Sequence, residues 1–278
     1  MTPERSAPEH AAPVVVDSVT QLDAGHRGTV AIAASHGGDY TAAVAMTIGL
    51  RGFVCNDASV GWGGAGIRVL GLLEEVGLAA ATIDHRTGRI GDGRDCSRNG
   101  ILSYVNTIAT RLGCRVGDRA ARAARLMAAS EPSKPLLVEL QEARFPLEIA
   151  GATGPVWGID SASLADAADR GAVLVTGSHG ALLGDRPETA LKADARAALF
   201  NDAGAGPDGR GRTRLPVLDE RGIAAVTVSA SSAAIGSARS TYENGVISFM
   251  NGRAAAYGAE IGMPASAFVA MLARGGVS

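Results

Sequence analysis

The chain has 278 residues, enough for one large domain or two of ordinary size, each burying its own core. Apolar residues make up 46% and charged residues 19%, with 37 glycines and only 4% aromatics, which excludes a disordered or fibrous chain and describes a globular, alanine-rich, tightly turned one. Lys and Arg number 26 against 28 Asp and Glu; the net charge of -2 lacks the basic excess that holds phosphate backbones or anionic lipid, so neither nucleic acid nor a membrane is an expected partner.

Residues 1–12 carry Glu4, Glu9, Pro3 and Pro8 with no apolar core of a secretory signal, and read as a mobile tail. No run of about 18 apolar residues follows anywhere. A soluble, cytoplasmic protein is expected. Cys55, Cys96 and Cys114 are odd in number and lack C-x-x-C spacing, the pattern of reduced thiols and not of a disulfide framework or a cysteine-rich zinc site.

Residues 13–128 read as an α/β unit. Thr29–Ala33 is a short continuous apolar run ending in a glycine turn, as a buried parallel strand does, and a helical pattern follows it. Gly52–Cys55 predicts a second strand leading into Asn56-Asp57, then a glycine-rich loop and a helix with Leu70, Leu73 and Val76 at helical spacing and Gly77 at its C-terminal end. Ala79–Ile83 predicts a third strand. A third helix is expected over Ser103–Leu112, after an Asn99-Gly100 turn. Residues 129–155 form a linker containing Pro132, Pro135, Pro146 and Pro155, with Leu136–Leu140 as an extra extended segment.

Residues 156–273 repeat the order. Asp17-Ser18 through Ser35-His36-Gly37-Gly38 matches Asp160-Ser161 through Ser178-His179-Gly180-Ala181 without a gap at an offset of 143. After a two-residue slip the match resumes at 145, with Asn56-Asp57-Ala58 on Asn201-Asp202-Ala203 and Asn106 on Asn251. The expected fold is α/β: two duplicated β-α-β-α-β-α units, parallel sheets covered by helices, related by a pseudo-twofold. A homo-oligomer is also considered.

In open parallel sheets, ligands bind beyond the carboxyl ends of the strands, and the shared polar residues fall there. Ser35 and Ser178 are candidate nucleophiles or substrate anchors and His36 and His179 candidate acid/base groups. Neighbours at a strand end tend to point to opposite faces, which makes Ser35 and His36 poor partners for each other, and a cross-repeat pair, Ser35 with His179 or Ser178 with His36, is considered instead. The Gly37-Gly38 and Gly180 turns are expected to permit positive φ and to aim N–H groups at a developing oxyanion. Asp57 and Asp202 are expected to orient a histidine, Asn56 and Asn201 to touch substrate. The alternative for all of these is local: serine caps, and Asx side chains that bond backbone N–H groups in a turn.

The first unit places Asp84, His85, Arg86, Arg89, Asp92 and Asp95 where the second has Ser and Ala, which points to one site drawing unequally on the halves. His85, Arg89, Arg94 and Arg239 are candidate contacts for an anionic substrate; the alternative is a solvated charged loop. Gly61-Trp62-Gly63-Gly64-Ala65-Gly66 fits G-x-G-x-x-G before a helix, yet Asn56–Val60 intervene after the strand, Asp57 would repel a pyrophosphate, and Gly206–Gly211 lacks the middle glycine. NAD is therefore not expected, and no metal is assigned, although a divalent ion is not excluded by the histidines and aspartates.

The expected function is that of a small-molecule enzyme, a hydrolase of an amide-like or ester-like bond in a small polar anionic substrate. The alternatives are a lyase or isomerase with the same His/Asp set, a non-catalytic small-anion binding or sensor protein, and an NAD-dependent oxidoreductase.

Overall fold

The computed structural model describes residues 12–139 and 142–275; the expected tail, apart from Ala12, lies outside the described residues. Val14–Val16 (β1), Val30–His36 (β2), Gly52–Asn56 (β3) and Ala79–Ile83 (β4) form a sheet in that order, all parallel, with Leu102–Val105 (β5) added antiparallel at the edge. Asp39–Ile48 (α1) joins β2 to β3, Val69–Glu75 (α2) joins β3 to β4, and Gly93–Asn99 (α3), Thr107–Arg111 (α4) and Ala120–Met127 (α5) surround β5. The second sheet holds Arg144–Pro146 (β6), Val156–Ile159 (β7), Val173–His179 (β8), Ala197–Asn201 (β9), Ala224–Val228 (β10) and Ile247–Met250 (β11), with β6 and β11 antiparallel at the two edges. Its helices are Arg214–Glu220 (α6), Ala238–Asn244 (α7), Gly252–Ala256 (α8) and Ala265–Ala273 (α9).

Strand periodicity sorts the cores. Ile32, Ala34, Val54 and Ala81 face α3 to α5, while Ala31, Ala33, Phe53 and Ala80 face α1 and α2, so every central strand is buried on both sides and reads as an unbroken apolar run. Fully burying a side chain such as Phe53 stabilises by about 2–3 kcal/mol, and the alanines beside it let the helices approach closely.

The fold is α/β with two mixed sheets of parallel strands flanked by helices, and it departs from the sequence reading in four places. The sheets are not wholly parallel. The third helix is not at Ser103–Leu112: α3 precedes Asn99-Gly100, capped by the Asp92 carboxylate on the Asp95 N–H, and the apolar run after it splits into β5 and α4. Asn106 makes that split, because its amide caps Ala109 N–H, accepts from Ala80 N–H and donates to the Leu78 carbonyl. Asn251 does the same with Ala254, Ala225 and Ile223.

No α-helix follows β8. Residues 180–196 run irregularly around a 3-10 turn at Pro187–Thr189, and the buried Arg214 guanidinium donates to the Ala181, Thr189 and Ala190 carbonyls, which a helix would have satisfied itself. Val69, at the matching position of the first unit, allows α1 to form normally. Finally, residues 131–139 are not a strand; they lie along the first unit with Ser133 N–H on the Leu50 carbonyl and Leu136 N–H on the Met46 carbonyl, and Leu140 lies outside the described residues.

The carboxyl ends of the two sheets meet. Ala58, Ala65 and Ile90 pack with Ala181, Ala203 and Ile235, and Trp62 N–H donates to the Ala230 carbonyl at 2.8 Å. Among the described residues no helix is long and apolar enough to cross a membrane.

Candidate functional site

Strands β2 and β8 each lose register with their neighbour just before Ser-His, resuming pairing at His36 opposite Asn56 and at His179 opposite Asn201. The irregularity breaks the strict alternation of the pleat, so Ser35, His36, Ser178 and His179 all line one cavity of about 250 Å³ between the sheets. Ser35 Oγ accepts the Val19 N–H at 2.9 Å and Ser178 Oγ the Ala162 N–H at 2.8 Å; each pins a 3-10 turn to the cavity wall and caps no following helix.

The two imidazoles are both held uncharged at neutral pH, in each case chiefly by burial. Burial drives His36 down to about 4 against the attraction of Asp39, and its Nδ1 is shielded from solvent with no hydrogen-bond partner. His179 is lowered well below the usual range by burial and by the Arg214 cation, and its Nδ1 accepts the Ala181 N–H at 3.2 Å, which leaves the ring proton on Nε2.

Sequence reasoning missed the carboxyls around them. Glu142, midway along the linker, is pushed up to about 7 by burial, with Asp160 adding to the rise and the Ser161 hydroxyl opposing it. Tyr40, in the first turn of α1, has its hydroxyl raised by burial and by Glu142. Asp160 accepts Ala238 N–H and Ala143 N–H, one on each oxygen. Arg68 Nε lies 2.8 Å from Asp39 Oδ1 on the cavity rim. A signal for Asp160 existed in its match to Asp17, but Glu142 has no counterpart and enters only because the chain returns to the cavity there.

Several sequence candidates do other work. Gly37 and Gly180 are not oxyanion donors: Gly37 N–H is taken by the Asn56 and Gly66 carbonyls and Gly180 N–H by the Asn201 carbonyl. Neither has positive φ. Glycine is required at 37 because a Cβ would stand 2.5 Å from the Gly66 oxygen. Gly38 does line the cavity, as the residue before α1.

Asn56 and Asn201 are fully buried, donating to the Gly88 and Ala233 carbonyls and accepting from Ala58 and Ala203. Asp57 and Asp202 bracket loops through Ser59 and Gly204 N–H. Asp57 does orient a histidine, but it is His85, at 3.0 Å and outside the cavity lining. Arg89 pairs with Asp208, while Arg94 and Arg239 are exposed, the latter over the Phe145 ring.

The glycine-rich loop offers no phosphate cradle. The N–H groups of Gly61, Trp62, Gly64, Ala65 and Gly66 all donate to carbonyls. Asp57, Asp84 and His85 bring ligand atoms within 4.8 Å of one another, but Asp57 Oδ1 already accepts from Ser59 N, His85 N and His85 Nδ1, and Arg86 clasps the Asp84 carboxylate. The three thiols are buried, and burial raises Cys55 and Cys96 far above the range of a nucleophile and Cys114 to about 11.

Comparisons with family models, curated proteins and solved structures return no match.

Proposed function

We propose that the chain is an enzyme acting on small polar molecules, with the cavity between the two Ser-His corners as its active site. The observation that carries this reading is that residues 143 positions apart line one cavity in which a shielded ring nitrogen of His36 has no partner. His36, uncharged, is the base. Glu142, whose carboxyl exchanges its proton near neutral pH, is the second proton-exchanging group of the cavity. His179, with its Nδ1 tied to Ala181, donates from Nε2. Proton transfer of the lyase or isomerase kind needs no further group.

Hydrolysis of an amide-like or ester-like bond is the second reading. It is favoured by Ser35 and Ser178, whose Oγ atoms accept backbone N–H groups and keep their own protons for a base. It is weakened by the engagement of the Gly37 and Gly180 N–H groups.

We further read residues 13–128 and 156–273 as copies of one ancestral unit, joined by 129–155 and related by a pseudo-twofold through the cavity. Support comes from repeated hydrogen-bond sets at the same offset: Thr82 with Ser103 and Thr227 with Ser248, each at 3.0 Å, and the paired networks of Asn106 and Asn251.

The test is turnover of a panel of small amines, polyols and hydroxy acids, followed by NMR. Consumption of a compound by the wild-type chain, lost in His36→Gln and reduced in His179→Gln, is the expected result. Compounds that shift the imidazole signals and are never consumed would overturn catalysis in favour of a binding or sensor protein.

A further inference from the structure

We propose that the cavity takes a small organic cation, a primary ammonium group seated between Glu142 and Asp160 beside the two imidazoles. The inference rests on the cavity being the working site. It reverses the anionic substrate expected from Arg94 and Arg239, which are exposed and absent from the lining.

The charges in the wall decide the sign. Among the described residues Arg68 is the only Lys or Arg in the lining, and Asp39 stands 2.8 Å from it, so that pair carries no net charge. Both imidazoles are uncharged because burial opposes their protonation. In the lining, what remains is Asp160 and Glu142, and among the described residues neither has a cationic partner within 4 Å; the buried Arg214 and Arg210, which act on His179, lie outside the lining.

Asp160 is near enough to push the Glu142 carboxyl upward, a repulsion that an incoming cation relieves and an incoming carboxylate or phosphate deepens. Tyr40, the other titratable group facing Glu142, stays protonated and adds no charge.

The polar fit agrees. An ammonium carries three N–H donors and no acceptor. Asp160 uses one lone pair of each oxygen on Ala238 and Ala143, which leaves a second on each, and Glu142 supplies a further carboxyl. His36 lines the same cavity, and its buried Nδ1 has no hydrogen-bond partner.

Three probes of similar size separate the possibilities: ethanolamine, ethylene glycol and glycolate, titrated into the full chain at pH 7.5 while the ring protons of His36 and His179 are followed by NMR. Ethanolamine is expected to shift both rings with a Kd about tenfold below that of ethylene glycol, and glycolate to shift neither. Glu142→Gln, which removes no backbone hydrogen bond among the described residues, is expected to weaken ethanolamine about tenfold and leave ethylene glycol unchanged. Asp160→Asn should act alike where it remains folded, and Glu142→Gln carries the test where it does not. Ring shifts from glycolate but not ethanolamine, or an unchanged ethanolamine Kd in Glu142→Gln, would overturn the cation while leaving the cavity as the site. Rings unmoved by all three would overturn both readings.

Discussion

Replacing His36 by Gln tests whether the cavity holds an uncharged imidazole. Burial lowers that ring from the usual value of about 6.5 to about 4. Above pH 6.5 it is neutral in both the folded and the unfolded chain. As pH falls below 6.5 the unfolded chain binds a proton that the folded chain refuses until about pH 4, so stability is lost across that window. At about 1.4 kcal/mol per tenfold change in proton affinity, the whole window is worth roughly 3 kcal/mol, most of it lost by pH 4.5. For a chain of this length, unfolding entropy sets about 2 °C of Tm per kcal/mol. Measured by differential scanning calorimetry, the Tm of His36→Gln relative to wild type should therefore rise by about 4 °C between pH 7 and pH 4.5. Glu142 titrates in the opposite sense in both proteins and cancels from the difference. A difference that stays constant over this range, or a His36 ring that titrates between pH 6 and 7 by NMR, would refute the burial argument and the assignment of His36 as a neutral base.

Glu142→Gln has the mirrored signature: the raised carboxyl costs the wild type stability as pH rises through 7, so the Tm of the variant should gain on wild type from pH 5 to pH 8, and a falling difference would contradict it. Gly37→Ala forces a Cβ to within 2.5 Å of a backbone oxygen that cannot swing aside, a loss of about 2 kcal/mol or more that an unchanged urea midpoint would disprove. Arg214→Met leaves the Ala181, Thr189 and Ala190 carbonyls without their buried donor, about 3 kcal/mol in all, and amide exchange over residues 180–191 should quicken; protection equal to wild type would mean the guanidinium does not hold that segment.

The central strands were legible because burial on both faces leaves an unbroken apolar run ending in a glycine turn, and Ala79–Ile83 and Ala224–Val228 coincide with β4 and β10. Helices read less well because their cause is tertiary. The run after Asn99 has helical spacing, but antiparallel pairing with β4 and the amide of Asn106 divide it, and neither is visible in a local window. Between β8 and β9 no helix forms, and the carbonyls of that segment are met by the buried Arg214 of α6, whose position in the sequence reveals nothing of those partners. At the site, Ser35-His36 and Ser178-His179 were legible because they recur at strand ends. Asn56-Asp57 and Asn201-Asp202 recur as well, yet they recur as loop brackets: repetition within a chain marks what the fold needs along with what the chemistry needs. Glu142 was hidden because only the path of the linker brings it to the cavity.

The matched corners are not electrostatically alike. In the first unit α1 forms, and Asp39 and Tyr40 reach the cavity, Asp39 opposing the fall in the His36 pKa. In the second, the segment that replaces the helix needs Arg214 to satisfy its carbonyls, and that cation sits close enough to His179 to press its protonation down further, while Ala181 fixes which ring nitrogen carries the proton. His36 is left with a buried Nδ1 that has no partner and His179 with an Nδ1 fixed as acceptor and its proton on Nε2, so two histidines that match at an offset of 143 are chemically distinct.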